Sequence, residues 1–295
     1  MIRELSILIP TYNGDCRSQV TALSRQAESI EGLRYEIIVA DDGSSDINCI
    51  YLCGEVTTLP HCRFIQREKN VGRAAIRNFL AREARYEWLL FMDCDMTIVS
   101  NDFIMNYLNS DPSPVIYGGY VVGSGERSCL RYIYEKQCEP MHRAEERRKR
   151  PFMHFHTCNF LVSREVMMKH PFDERFRHYG YEDVLWGRQL QRAGVEIAHL
   201  DNPAGFCTFE DNPHFVDKTE EGLRTLHRFR DELRGYSQLL AFVEGIHIGF
   251  VRTAISLFHR IFGKMERRNL CGSRPNLHIF KLYKLGYYMN LRTIK

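Results

Sequence analysis

The sequence predicts an α/β fold, with a mostly parallel, twisted sheet flanked by helices on both faces. Short apolar runs alternate with segments of helical periodicity in the first third of the chain, and this alternation is typical of parallel sheets. The runs at residues 36–40 and 88–92 lead directly into acidic residues, and the run at 5–9 leads through Pro10 into polar ones. In an open sheet of this kind ligands bind outside the carboxyl ends of the strands, so these residues are expected to form a ligand site.

The composition is that of an ordinary soluble protein, and 295 residues suffice for one large domain or two small ones. The ten cysteines are scattered, with no paired Cys-x-x-Cys elements, which favours reduced thiols packed as small hydrophobic groups. The first apolar run, at residues 5–9, is too short for a signal peptide or a membrane span. We therefore expect a cytoplasmic enzyme.

The first predicted strand, residues 5–9, stops at Pro10 and leads through a short turn into a helix that reaches residue 29. Tyr12 follows the carboxyl end of this strand, where its ring could stack on a nucleobase. An ordinary tyrosine at the rim of the sheet is the alternative.

The second predicted strand, residues 36–40, ends in Asp41 and Asp42, which are followed by a Gly-Ser-Ser-Asp loop. An aspartate at this point can accept hydrogen bonds from a base or from a ribose hydroxyl. The alternative is a loop that caps the next helix through Ser44, Ser45 or Asp46.

A third short strand at residues 63–66 precedes a glycine-containing turn and a helix that extends to residue 85. Gly72 allows close approach of the backbone, and Arg73 and Arg77 share a helix face because they are four residues apart. They could contact phosphates at the positive end of the helix, and solvated arginines are the alternative. The chain lacks Gly-x-Gly-x-x-Gly and the P-loop pattern, which argues against a dinucleotide oxidoreductase and a P-loop enzyme.

Asp93 and Asp95 follow the apolar run at residues 88–92, which suits a strand buried on both faces. Residues two apart in an extended chain share a face, and two carboxylates on one face repel each other unless a cation lies between them. A hard divalent cation, Mn²⁺ or Mg²⁺, would remove this repulsion and could carry a diphosphate. A simple turn after the strand is the alternative.

Four segments in this order and spacing resemble glycosyltransferase family 2, an inverting family with the GT-A fold. They are Ile-Pro-Thr-Tyr-Asn at 9–13, Asp-Asp-Gly-Ser at 41–44, Asn-x-Gly-x-x-x-x-Arg-Asn at 70–78 and Asp-Cys-Asp at 93–95. The resemblance implies a nucleoside-diphosphate sugar donor, with UDP as the favoured nucleotide. It also implies that Asp95, helped by Asp93, binds the metal ion.

The donor site implied by the resemblance consists of Pro10, Tyr12, Asn13, Asp42, Gly72, Arg73, Arg77 and Asp93. Within it, Pro10, Tyr12 and Asp42 would hold the base and the ribose. One of the two arginines would lie near the diphosphate.

The segments at 172–174, Phe-Asp-Glu, and at 182–183, Glu-Asp, resemble the acceptor side of the same family. By this resemblance Asp183 is the base that takes the proton of the acceptor hydroxyl, and Glu182 orients the acceptor or assists. Two acids that complement a helix N-terminus are the alternative.

Many members of the family carry a histidine as a further metal ligand, whereas the corresponding position here is Phe206. His199 or His214 could replace it. Alternatively, the metal could be held by Asp95, Asp93, water and the diphosphate alone.

Residues 127–150 are rich in charge and include the basic run at 147–150. Such runs are usually solvated helix faces, which is our expectation here. A mobile basic flap that closes over phosphates is the alternative.

The resemblance covers most of residues 1–233, where we expect the catalytic domain, and residues 234–295 are expected to form a separate, basic, amphipathic helical region. From Gly235 onward ten Lys and Arg stand against two Asp and Glu, a net charge of +8, which leaves −5 for the rest of a chain whose total is +3. Apolar residues recur at helical spacing from Leu239 to Ile261. Such a helix lies in a membrane interface or packs on the catalytic domain.

Nucleic acid is not expected as a partner, because basic patches alone are weak evidence for it.

These observations predict a metal-dependent glycosyltransferase in the cytoplasm or peripheral at the inner face of the cell membrane. It would move a sugar from a UDP-sugar to a hydroxyl of a glycan or lipid-linked acceptor, in surface polysaccharide synthesis. Two other classes stay open. One is a sugar-nucleotide nucleotidyltransferase, which would release pyrophosphate, and the other is a catalytically silent module that binds glycan or membrane.

Overall fold

The computed structural model describes residues 2–291. The strands are β1 (Glu4–Thr11), β2 (Arg34–Asp41), β3 (Cys62–Gln66), β4 (Trp88–Met92), β5 (Met96–Thr97), β6 (Val115–Tyr117), β7 (Tyr120–Val122), β8 (Asn159–Ser163), β9 (Ile197–His199) and β10 (Ala204–Phe206). The first seven α-helices are α1 (Arg17–Glu28), α2 (Ile47–Gly54), α3 (Arg73–Glu83), α4 (Phe103–Leu108), α5 (Leu130–Cys138), α6 (Ala144–Lys149) and α7 (Arg164–Lys169). The others are α8 (Glu182–Arg192), α9 (Asn212–Arg228), α10 (Arg230–Leu233), α11 (Gln238–Gly245), α12 (Gly249–Leu270) and α13 (Leu277–Asn290).

Seven strands form the central sheet in the order β3-β2-β1-β4-β8-β6-β9. The β3-β2-β1-β4 half is parallel, β6 pairs in parallel with β9, and β8 runs antiparallel to both of its neighbours, β4 and β6. The predicted α/β fold with a mostly parallel sheet is thus confirmed. Because β1, β2 and β4 are parallel, their carboxyl ends lie along one edge of the sheet, with Thr11 directly opposite Asp41.

The central part of the parallel strands β1, β2 and β4 is mainly apolar and buried because both faces of the sheet are covered. In β4 every residue from Leu89 to Met92 is fully buried, and the Phe91 ring stacks on the Phe160 ring of β8 at 5.0 Å. This explains the uninterrupted apolar run in the sequence.

A second sheet contains three short strands in the order β5-β10-β7. Strand β10 runs antiparallel to β5 and parallel to β7, and Phe206 pairs with Met96. The small sheet therefore places Phe206 across from the residue that follows Asp95.

The chain divides into two compact units, which we describe separately. The first contains the residues up to Gly123 together with residues 139–177 and 182–208, and it holds both sheets. The second contains residues 124–138, 178–181 and the described residues from Phe209 onward. The domain limits 1–233 and 234–295 remain a prediction from the sequence. Helix α9, which precedes residue 233, groups with the C-terminal helices, and residues 292–295 lie outside the described part of the chain.

The second unit is helical and has its own apolar core. Residues of α5, α9, α12 and α13 meet there, namely Leu130, Phe215, Val216, Leu270, Phe280 and Tyr283. The periodic stretch from Leu239 to Ile261 is not one helix, because the chain leaves helical geometry at residues 246–248 between α11 and α12. Within residues 2–291, no helix is long and apolar enough to cross a membrane.

Candidate functional site

The polar residues that follow β1, β2 and β4 lie at the carboxyl edge of the parallel strands, as predicted. All of the residues described below as forming this site belong to the first unit. Asn13, Asp42 and Asp93 are each hydrogen-bonded to residues from another segment of this edge. The structure therefore brings together segments that are far apart in the sequence.

Asn13 connects the first loop of this edge to the second. Its side-chain oxygen accepts hydrogen bonds from the backbone N–H groups of Ser45 and Asp46, each at 2.9 Å. Its own backbone adopts a positive φ of 51°, a conformation that asparagine tolerates better than most residues. Tyr12, immediately before it, leaves 49 % of its surface exposed. In this arrangement Asn13 holds the loop and the Tyr12 ring is accessible.

Asp42 is buried, and its carboxylate accepts the backbone N–H groups of Val71 and Gly72 at 3.1 and 2.9 Å. Burial raises the pKa of Asp42, although these two hydrogen bonds act in the opposite direction. The carboxylate therefore fixes the turn that begins α3. Pro10, which is partly buried, lies in β1 opposite Ala40 of β2.

Gly72 occupies a backbone conformation with φ 93° and ψ 163°, which is essentially reserved for glycine. A Cβ atom at this position would lie 2.8 Å from the carbonyl oxygen of Arg177. Both the backbone angles and the close neighbour thus require glycine here.

The two arginines of α3 lie in different environments although they share a helix face. Arg77 is 1 % exposed, and its guanidinium group donates to Asp93 Oδ1 at 2.6 Å and to Glu182 Oε1 at 3.4 Å. The Arg73 side chain is 43 % exposed and lies 3.9 Å from Asp93 Oδ2. Arg77 is committed to two carboxylates, so Arg73 is the arginine with the more accessible charge.

Glu182 and Asp183 begin helix α8, and their environments separate their pKa values. Burial and the neighbouring Asp183 raise the pKa of Glu182. Burial also acts to raise the pKa of Asp183, but a hydrogen bond and a charge interaction with His156 and a hydrogen bond from the Val184 backbone outweigh it and lower that pKa. Asp183 therefore carries its negative charge more readily than Glu182.

His156 was not assigned any role from the sequence. Its Nδ1 atom lies 3.1 Å from Asp183 Oδ2, across a separation of 27 residues. The His142 ring lies 5.5 Å from the His156 ring, and His142 Nε2 is 2.6 Å from the hydroxyl of Tyr120. Burial and the nearby His156 lower the pKa of His142 to about 3, so this second ring is neutral near pH 7. No spacing in the sequence marks these contacts.

Arg147 departs from the expected solvated basic face. It is 1 % exposed, while Arg148, Lys149 and Arg150 are exposed. Its guanidinium group donates to the backbone carbonyls of Tyr117, Gly118, His142 and Leu200. The group also fills the space beside Gly119, where a Cβ atom would lie 2.6 Å from an Arg147 nitrogen.

The residues available to a divalent cation are the carboxylates of Asp95 and Asp93. Asp95 is exposed, whereas Asp93 is bonded to Arg77. Across residues 2–291, no three His, Cys, Asp or Glu side chains converge into a metal site, and Phe206 offers no ligand atom. Two hard oxygen donors fit Mn²⁺ or Mg²⁺ if the remaining ligands come from water and a diphosphate.

His199 does not take the place of the missing histidine. It is buried, with Nδ1 at 2.9 Å from Arg147 and Nε2 at 3.0 Å from the carbonyl oxygen of Pro151. Burial and Arg147 lower its pKa to about 4, so it is a neutral ring with both nitrogens engaged. His214 belongs to the second unit, in the first turn of α9.

The family model for glycosyl transferase family 2 matches residues 6–170, which is more than half of the chain. The chain belongs to glycosyl transferase family 2. The matched region contains the edge from Tyr12 to Asp95 and His156, and it ends before Asp183.

Among curated proteins, the chain is similar to the chondroitin synthase of Escherichia coli, with 25 % identity over 244 residues. This alignment covers 70 % of the chain and 35 % of the synthase, so the chain spans about a third of the length of that relative.

Two solved structures share the GT-A fold of the chain. The mannosyltransferase PcManGT from Pyrobaculum calidifontis, in complex with GDP-Man and Mn²⁺, aligns with a TM-score of 0.57 at 12 % identity over 97 % of this chain and 84 % of that one. TarS 1–349 from S. aureus, in complex with UDP-GlcNAc, aligns with a TM-score of 0.54 at 16 % identity over 97 % and 89 %. At these identities the likeness shows the fold alone.

Removing the buried arginine should destabilise the protein far more than removing its exposed neighbour. Arg77→Ala leaves two carboxylates in a poorly hydrated position, at a cost of about 3–5 kcal/mol. Arg73→Ala should cost at most about 1 kcal/mol, because its side chain is partly solvated. Urea unfolding followed by circular dichroism measures both. Similar losses in the two variants would show that burial of Arg77 does not organise this edge.

Alanine at position 72 should be tolerated much less than alanine at another glycine of positive φ. Gly194 has a φ of 69° and nothing within 4 Å of an added Cβ, so Gly194→Ala carries only the backbone penalty of about 1–2 kcal/mol. Gly72→Ala adds the clash with Arg177, and we expect a total of about 2–5 kcal/mol. Thermal unfolding of the two variants compares them, and equal shifts in Tm would contradict the assignment.

Proposed function

We propose that the chain is an inverting glycosyltransferase that moves a sugar from a UDP-sugar to a hydroxyl of a glycan or lipid-linked acceptor, in surface polysaccharide synthesis. The observation that carries the proposal is the position of Arg77. It joins Asp93, at the strand edge expected to bind the donor, to Glu182, next to the expected base. One side chain therefore joins the proposed donor edge to the residue next to the proposed base.

The proposed donor site relies on side chains that stay exposed at the carboxyl edge of the sheet after Asn13 and Asp42 have fixed its loops. Tyr12 presents its ring for stacking on the base, and Arg73 provides a partly exposed cation at the start of α3 for the diphosphate. Asp42 and Asn13 would act mainly by holding the loops that frame the base. UDP is proposed from the resemblance to the family. TarS binds UDP-GlcNAc and PcManGT binds GDP-Man on the same fold, so the fold by itself accommodates either nucleotide.

A divalent cation held by Asp95 and Asp93 would neutralise the negative charge that develops on the departing diphosphate. The protein's own contribution at this point is the placement of both carboxylates after β4. Arg73 and Arg77 supply the balancing positive charge beside Asp93.

Asp183 is proposed as the general base. Its carboxylate would take the proton of the acceptor hydroxyl while that oxygen forms the bond to the anomeric carbon. The bond from the anomeric carbon to the diphosphate breaks on the opposite face, and the nucleoside diphosphate leaves with the electron pair, so the configuration inverts. The lowered pKa of Asp183 keeps the base charged near pH 7.

His156 and Glu182 are positioning residues in this proposal. His156 contacts Oδ2 of Asp183, and the Val184 backbone N–H donates to Oδ1. Both oxygens are thereby oriented, and a carboxylate oxygen can still accept a further hydrogen bond from the acceptor hydroxyl. Glu182 acts through Arg77, which ties the start of α8 to the end of β4. The polysaccharide assignment is supported by the similarity to a chondroitin synthase.

Donor and metal should stabilise the protein together. With ligand at about 100 times its Kd, binding adds about 2.7 kcal/mol to the free energy of unfolding. We expect a rise in Tm with a UDP-sugar and Mn²⁺, a smaller rise without Mn²⁺, and loss of the metal-dependent part in Asp95→Asn. The measurement is a thermal shift with UDP-, GDP- and dTDP-sugars. A folded protein that responds to none of them would contradict the donor site, and release of pyrophosphate would indicate a nucleotidyltransferase.

The pH dependence of transfer should report the contact between His156 and Asp183. Asp183→Asn should lower kcat/KM by about 10²–10⁴-fold, because general base catalysis is lost. Since the hydrogen bond lowers the pKa of Asp183, His156→Ala should raise that pKa and move the acid limb of kcat/KM to higher pH.

His156→Asn is the matched control, because its amide N–H can replace the Nδ1–H donor but not the charge of the ring, so it should restore part of the shift of the limb. The assay is release of UDP from the stabilising donor with a panel of oligosaccharide acceptors. An acid limb at the same pH in wild type and His156→Ala would contradict the role of His156.

A further inference from the structure

Helix α12 turns its polar and small residues inward. Within the second unit, Ser256 donates to Asn290 of α13 at 2.8 Å, and His259 contacts Glu266 at 2.7 Å. The backbones of α12 and α13 approach closely there, because a Cβ atom at Gly286 would lie 2.5 Å from that of His259. The side of α12 that packs on α13 is therefore occupied by polar groups.

Several large apolar residues of α12 point outward instead, although Leu270 at the end of the helix lies in the core. Phe250, Leu257, Ile261 and Met265 are 80, 52, 60 and 67 % exposed, and their spacing of seven, four and four residues places them on one face. Phe258 and Phe262 border this face, which we call the outer face of α12, and both are exposed. A helix on the surface of a soluble protein normally shows the reverse orientation, so this face is expected to have a partner.

The charges around the outer face are basic. Three exposed residues that border it carry positive charge, namely Arg260, Lys264 and Arg268. The acidic residue of the helix, Glu266, is 6 % exposed and bonded to His259 on the opposite side. A partner for this surface should therefore combine apolar character with negative charge.

We infer that the outer face of α12 docks on an anionic phospholipid bilayer. The apolar side chains would enter the boundary between headgroups and acyl chains, and the arginines and lysine would lie at the level of the lipid phosphates. The helix lies on the membrane and does not cross it, since it is not apolar enough to span a bilayer. A second copy of the chain fits less well, because a two-fold contact through this face would bring like charges together.

The docking surface is independent of the proposed transferase activity, since it uses neither donor nor acceptor. Flotation of the 295-residue chain with vesicles tests it directly. One set contains phosphatidylcholine alone and the other contains phosphatidylcholine with phosphatidylglycerol. We expect flotation with the anionic set, little with the neutral set, and a decrease in high salt.

Two double variants separate the apolar and the basic parts. Arg260→Gln with Lys264→Gln should weaken partitioning about 30-fold, at about 1 kcal/mol for each charge near the surface. Leu257→Gln with Ile261→Gln should weaken it by at least about ten-fold, because two apolar side chains no longer enter the bilayer. These side chains are exposed, so the helix should remain folded, which circular dichroism checks.

The matched control combines Met168→Gln and Lys169→Gln on α7, an exposed apolar residue next to an exposed lysine outside α12. It should float like the wild type. The proposal is overturned if folded wild type fails to float with anionic vesicles, if it floats equally with both sets, or if the control loses binding as much as the α12 variants do. A dimer in sedimentation equilibrium that is lost in Leu257→Gln with Ile261→Gln would assign the face to a second copy instead.

Discussion

The buried guanidinium group of Arg77 is the interaction on which the rest of the site depends. It lies between the carboxylates of Asp93 and Glu182 and is 1 % exposed. Charges removed from water are tolerated only when they are paired and hydrogen-bonded, since each would otherwise carry a large desolvation penalty. The end of β4 and the start of α8 are thereby held at a set separation. Any chemistry that uses Asp93, Asp95 and Asp183 together relies on that separation.

Several residues of the proposed donor site hold together the loops at the carboxyl edge of the parallel strands. Asp42 uses both carboxylate oxygens on the turn before α3, and Asn13 uses its amide oxygen on the loop after β2. Such contacts exist before any ligand arrives, so they lower the cost of ordering the site on binding. The groups left accessible to a ligand, such as Tyr12, Arg73 and Asp95, are correspondingly few. A site of this kind combines a rigid frame with a small number of specific contacts.

The second unit shows a different balance between core and surface. Its core uses aromatic and aliphatic residues such as Phe215 and Phe280, while the longest helix keeps its own phenylalanines outside. Polar groups inside the α12 and α13 pair, including Ser256 and His259, are held by hydrogen bonds. The outer face of α12 takes no part in this packing. The outward orientation of the apolar face of α12 fits a helix that binds the surface of a partner such as a lipid bilayer.

Residue order alone was enough to predict the α/β fold, the sheet edge at which polar residues gather and the family, because apolar strands that end in acids, a glycine before a helix and two spaced aspartates are local patterns. It also predicted that the C-terminal region contains an amphipathic helix. It could not distinguish Arg73 from Arg77, which share a helix face and differ only in what packs over them. The contact of His156 with Asp183 spans 27 residues and leaves no local trace. Likewise, periodicity shows that α12 has an apolar face, but only the packing of His259 against Gly286 determines that this face points outward.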